Sequence, residues 1–135
     1  MIKQRMNRAT ALIFAAALTG CASAPPKEGP FPDTIMPRCT MGIDCTAKWK
    51  AAKEYVQQNA QMAIINSNDQ VIETDVPSVG NGPIAMRVTK ELIGKGQYRL
   101  RAQAFCSSRK CLKEPWMVVA GFNLKVGAVT PTPVE

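Results

Sequence analysis

Five cysteines and no histidine set the chemistry open to this 135-residue chain. Without imidazole there is no Ser-His-Asp or Cys-His nucleophile pair, no histidine acid or base and no His-ligated metal. Asp69, Glu73 and Asp75 are the acids nearest to a catalytic set, and they fall on turn or solvent-facing positions. The residues therefore point to a non-enzymatic protein with no cofactor. Four cysteines form two close clusters, Cys39-x5-Cys45 and Cys106-x4-Cys111, while Cys21 stands alone near the start.

The context of Cys21 is specific. Lys3, Arg5 and Arg8 precede an apolar run, Ala9 to Leu18, in which Thr10 is the one polar residue. A basic stretch, a short apolar stretch and small residues form the layout of a secretory signal. The run is half the ~20 residues that a permanent membrane helix requires. Leu18-Thr19-Gly20-Cys21 then resembles the lipobox of bacterial lipoproteins. In that family the cysteine thiol becomes a thioether to diacylglycerol, the chain is cut before it, and the new amine is acylated. The resemblance implies residues 1–20 as signal peptide, Cys21 as the lipidation site and the membrane as a partner through the lipid anchor. Two acyl chains suffice for stable anchoring. Ala22 follows the cysteine, and by the same resemblance a residue other than aspartate there directs the protein to the periplasmic face of the outer membrane.

An exported chain meets an oxidising compartment, where four remaining cysteines read as disulfides. The spacing favours local pairs, Cys39 with Cys45 and Cys106 with Cys111. Crossed pairing between the clusters stays open and would close longer loops. Zinc is the competing reading, but neither cluster has the C-x-x-C knuckle of zinc sites, and no redox C-x-x-C occurs.

These residues need elements to hold them. Residues 21–38 carry Pro25, Pro26, Pro30, Pro32 and Pro37, which disfavour helix and sheet and read as a lipidated tether. Residues 39–126 are expected to form a small α+β domain, and 127–135 a flexible tail. Cys45, Trp49, Ala52, Tyr55 and Val56 recur at helical spacing, predicting a helix over 45–59. Asp44 or Thr46 is its expected cap, Lys50 and Glu54 an i,i+4 ion pair, and Asn59 its stop. Trp49 and Tyr55 are expected to pack on a sheet rather than to serve as a ligand platform. Four strands follow: 62–65, 70–76, 84–89 and 98–105. Ile84, Met86 and Val88 alternate with Ala85, Arg87 and Thr89, and Tyr98, Leu100, Ala102 and Ala104 alternate with polar neighbours. The predicted architecture is an N-terminal helix packed on a four-stranded antiparallel sheet, one face apolar and one polar. Residues 114–126 admit either a helix with Trp116, Val119, Ala120 and Phe122 or Leu124 as its stripe, or a fifth strand. The helix is preferred because two helices cover the apolar face better than one.

A hairpin centred on Lys95 sets Glu91 opposite Arg99 and Thr89 opposite Arg101, and the polar face then gathers Arg87, Arg99 and Arg101. Those three are the candidate anion-binding residues, against the simpler reading of a solvated sheet face. Removing Lys3, Arg5 and Arg8 with the leader lowers the net charge from +7 to +4, too little for a nucleic-acid footprint.

From Cys39 to Asn123 the order of cysteine pairs, Trp49, Arg87-Val88-Thr89-Lys90 and Phe122-Asn123 is similar to small uncharacterised proteobacterial lipoproteins. The expectation is a periplasm-facing envelope structural or accessory binding module. Its partners would be envelope proteins or cell-wall polymer, with no nucleic acid. The alternative is an anion-binding module for lipopolysaccharide, lipid headgroups or peptidoglycan.

Overall fold

Residues 31–77 and 82–132 are described here, in a computed structural model of the chain. The expected signal peptide, Cys21 and most of the expected tether lie outside them, as do 78–81 and 133–135. The chain enters through a 3-10 turn, Asp33–Ile35, and then runs β1 (Arg38–Thr40), α1 (Ile43–Asn59), β2 (Ile64–Ser67), β3 (Val71–Thr74), β4 (Ala85–Gly94), β5 (Gln97–Phe105) and α2 (Pro115–Gly127). The class is α+β. The sheet has five antiparallel strands in the order β1-β5-β4-β3-β2, not four.

The additional strand is β1, which starts at Arg38, the last residue read as tether, and runs into the expected domain. It is only three residues long and sits at an edge, where the nearby Pro37 has no ladder bond to donate and still accepts one from the Leu100 amide. Cys39 aligns with Tyr98 in this pairing. The folded unit thus takes in Met36 and Pro37, both buried, and its boundary falls before residue 38.

The β4–β5 hairpin has the expected register: Glu91 faces Arg99, Thr89 faces Arg101 and Val88 faces Ala102. Lys95 and Gly96 form its turn. Gly96 has φ 67°, a left-handed conformation that suits glycine, and a bulge between Leu92 and Gly94 absorbs the shift in register. Alternation then sorts the faces. Ile72, Thr74, Met86, Val88, Leu100 and Ala102 are buried under the helices, and Arg87, Arg99 and Arg101 lie on the opposite face. The buried Thr74 hydroxyl is satisfied, accepting from the Met86 amide and donating to the Asp75 carbonyl.

In α1 the buried stripe is Cys45, Ala52, Tyr55 and Val56 as expected, with Trp49 half-buried. Its start differs. The helix begins at Ile43 after Gly42, and neither Asp44 nor Thr46 caps it from outside. Asp44 lies within the first turn and accepts a hydrogen bond from the Thr40 amide at 2.8 Å, which holds its carboxyl below the ordinary value. The ion pair on this helix is Asp44–Lys48 at 3.0 Å, and none joins Lys50 to Glu54. β2 starts two residues later than expected, so Asn66 and Ser67 lie in the strand and the turn is Asn68 to Gln70.

Residues 115–127 are helical, with Pro115 at the start, where its missing amide costs nothing. The stripe is only partly the one expected: Phe122 is buried and Val119 packs on the core, but the rest differs. Val118, Phe122, Asn123 and Val126 face inward, whereas Trp116 and Leu124 face out. The reason is the contact with α1. The Tyr55 hydroxyl donates to the Val118 carbonyl at 2.7 Å, and the Tyr55 and Phe122 rings meet edge to face at 5.6 Å. A Cβ on Gly121 would lie 2.5 Å from the Tyr55 hydroxyl, so only glycine permits this approach.

Gly121→Ala should therefore destabilise the fold by about 1–3 kcal/mol. Tyr55→Phe should cost about 0.5–1.5 kcal/mol through the lost hydrogen bond. The double variant should cost less than the two added, because removing the hydroxyl makes room for the methyl. Urea denaturation of the three variants checks this, and simple additivity would contradict it.

Candidate functional site

Each strand residue on the polar face is placed by its cross-strand neighbour. Arg99 stands between Arg38 on β1 and Glu91 on β4. Like charges opposite one another repel, and the pairing of Arg38 with Arg99 needs a counter-charge. Two carboxylates supply it to Arg99. Glu91 Oε2 accepts from Arg99 Nε at 3.0 Å and Nη2 at 2.8 Å, and its Oε1 accepts from Arg101 Nε at 2.8 Å. Asp33 reaches in from the entering turn, binding Arg99 Nη1 through Oδ2 and Arg101 Nη2 through Oδ1 at 3.4 Å.

The result is a four-residue cluster of two acids and two guanidinium groups. The Arg99 and Arg101 side chains are only 18% and 28% exposed. Burial pushes the Glu91 carboxyl up, but hydrogen bonds from Arg101 and Arg99 outweigh it and hold the group below its ordinary 4.5. The same bond to Glu91 raises Arg101.

Arg87 shares the face but not the cluster. It lies opposite Gln103 and Glu73, with its Nε 3.9 Å from Glu73 Oε1. All three arginines named as anion-binding candidates thus have a carboxylate beside them. An incoming phosphate would have to displace Glu91 and Asp33 from two of them. Arg38 has no ion pair among the described residues, and its carbonyl accepts from Lys48 Nζ at 2.9 Å.

The candidate catalytic acids are not assembled into a site. Glu73 pairs with Arg87, Asp75 accepts a hydrogen bond from the Val76 amide, and Asp69 is exposed in the β2–β3 turn. Among the described residues no group of three acids or cysteines is placed to hold a metal ion. The four cysteines are bonded in pairs, Cys39–Cys45 with Cα atoms 4.8 Å apart and Cys106–Cys111 at 6.1 Å. A groove between α1 and α2, lined by Glu54, Tyr55 and Lys125 among others, has a volume of about 190 Å³. That is less than the ~300–1,000 Å³ of ordinary small-molecule sites.

Two features escaped the sequence reading. Asp33 sits among prolines and carries no local sign of its partners, which are more than sixty positions away. Lys90 continues the apolar series Met86 and Val88, a visible irregularity. Its ammonium lies 4.7 Å from the centre of the Trp49 ring and 5.9 Å from that of Tyr98. Trp49 also donates from Nε1 to the Asn68 carbonyl at 3.0 Å, so this ring ties α1 to the β2–β3 turn. The Asn123 amide is buried without a hydrogen-bond partner among the described residues, and nothing in the structure accounts for it.

No protein-family model matches the chain, and neither the curated proteins nor the solved structures contain a match to it.

Glu91→Gln should cost about 1–2 kcal/mol at neutral pH, a value reduced by the partial exposure of the cluster. Because the folded carboxyl lies below its unfolded value, its stabilisation is complete above about 4.5 and lost as pH falls through the lowered value. The wild type should therefore lose more stability than Glu91→Gln on acidification, measured as urea midpoints on either side of that range. Equal losses would contradict the assignment.

The two disulfides should differ in weight. Chain entropy gives each short loop about 2–3 kcal/mol. Cys39 and Cys45 are also buried in the core, whereas Cys106 and Cys111 are half-exposed. Replacing the first pair by alanine should lower the urea midpoint more than replacing the second, and the opposite order would refute this ranking.

Proposed function

We propose that the chain is a lipid-anchored bacterial lipoprotein at the periplasmic face of the outer membrane, where it acts as a non-enzymatic structural or accessory binding module of the envelope. The observation that carries this reading is the division of the cysteines. Four form two disulfides, as suits an oxidising compartment, and the fifth stands at the end of Leu18-Thr19-Gly20-Cys21 behind a basic and apolar leader. Cys21 thus has no cysteine of its own chain left to bond, and lipidation uses its thiol. The prolines between Cys21 and the folded unit serve as a spacer between lipid and domain.

The polar sheet face supports a structural role rather than binding of free anions. Glu91 and Asp33 already occupy Arg99 and Arg101. A face whose arginines, Arg38 apart, are paired with carboxylates fits a domain held near charged polymers without adhering strongly to them.

The protein isolated from membranes should begin at Cys21, with an intact mass above that of residues 21–135 by its acyl groups. Cys21→Ser should stall processing or release the domain from the membrane fraction. An unmodified Cys21, or an N-terminus at Met1, would overturn the reading.

A further inference from the structure

Lys125 apart, every large exposed side chain of α2 is apolar. Trp116, Met117 and Leu124 are 54%, 56% and 77% exposed, and Ala120 lies between them at helical spacing. Trp116, Ala120 and Leu124 recur every four residues and form a ridge about 12 Å long. Lys125 is the one charged residue within Pro115–Gly127. A helix apolar on both its inner and outer faces is normally covered on both.

The surroundings say what covers it. Arg109, Lys110 and Lys113 lie exposed in the segment leading into α2, and Lys125 lies exposed near its end. Glu114 is the only acid from 109 to 125. The Cys106–Cys111 disulfide and the bond from the Leu112 amide to the Gly82 carbonyl at 2.8 Å hold the basic segment, which also presents an exposed Leu112. A Cβ on Gly82 would collide with the Lys110 carbonyl oxygen, and Gly82 has φ 78°, so the loop depends on that glycine. An apolar ridge with a tryptophan, bordered by cations, has the composition of a helix lying in the interface of a bilayer. A second copy seated face to face would bring the cations of both copies together, whereas anionic headgroups attract them.

We propose that the outer face of α2, with Leu112 and the flanking cations, docks on a bilayer bearing anionic phospholipid headgroups. This rests on the lipoprotein reading, in which the anchor already holds the domain near lipid. Phe31 lies ten positions after Cys21. Ten steps of chain span at most about 33–36 Å, more than the ~20–25 Å thickness of a helix-on-sheet domain. The anchor therefore leaves the domain free to turn α2 toward the membrane, and the α2 face selects that orientation.

Trp49 and Trp116 are the two tryptophans, so Trp49→Phe leaves Trp116 as the reporter. The mature protein is reconstituted in phosphatidylcholine vesicles with or without phosphatidylglycerol, and quenching by brominated acyl chains is compared with quenching by aqueous acrylamide. If Trp49→Phe weakens the fold, the difference between wild type and Trp116→Phe gives the same signal. Trp116 should be quenched by the brominated chains, more so with phosphatidylglycerol and less so at high salt. Leu124→Glu, at an exposed site that leaves the fold intact by circular dichroism, should reduce this quenching about tenfold. Docking is overturned if Cys21 carries lipid and Trp116 remains open to acrylamide. It is also overturned if Trp116 is shielded from both quenchers in a dimer that Leu124→Glu dissociates. If Cys21 proves unmodified but added vesicles still quench Trp116 from the lipid side, docking stands and the anchor reading fails.

Discussion

The approach of α1 to α2 at Tyr55 and Gly121 constrains most of this small domain. A five-stranded sheet with one apolar face needs a full helical layer over it, and two helices supply that layer only if they ride close together. The bare backbone of Gly121 admits the Tyr55 ring, and the hydroxyl reaches the Val118 carbonyl. That one geometry sets the rotation of α2. Phe122 and Val126 then fall on the sheet side, and Trp116, Met117 and Leu124 turn outward. The apolar outer ridge is thus a consequence of how the core closes.

The two faces of the sheet are held by different physics. Beneath the helices, aliphatic side chains from the central strands exclude water. On the open side, two guanidinium groups share two carboxylates, and the repulsion of Arg38 and Arg99 across the β1–β5 pair is offset by Asp33 and Glu91. This network also fastens the entering chain to the sheet, because Asp33 precedes β1. The Cys39–Cys45 bond fastens the same region from the helical side, joining β1 to the first turn of α1. The edge strand is only three residues long, and these contacts on both faces secure it.

Much of this was legible in the sequence wherever the deciding contacts are local. Alternation over 84–105 determined which residues face the core, and the glycines around Lys95 determined the hairpin register, because a strand shifted by one residue would bury its arginines. Cysteine spacing favoured the two disulfides for the same reason: short loops close at low entropic cost. Helical spacing identified the buried side of α1.

Only the tertiary structure decided the features that depend on distant partners. β1 is too short and too close to proline to be read as a strand, and it exists because β5 offers an unpaired edge. The phase of α2 was ambiguous because the helix is apolar all round, so periodicity could not tell an inner Phe122 from an outer Trp116. The role of Asp33 had no local signature: the hairpin register already set Glu91 opposite Arg99, but only the fold brought Asp33 to both arginines and Glu91 to Arg101 as well. Spacing along the chain encodes contacts within one element or one hairpin. Contacts that close a domain are chosen by which surfaces remain to be covered, and that is known only when every element is in place.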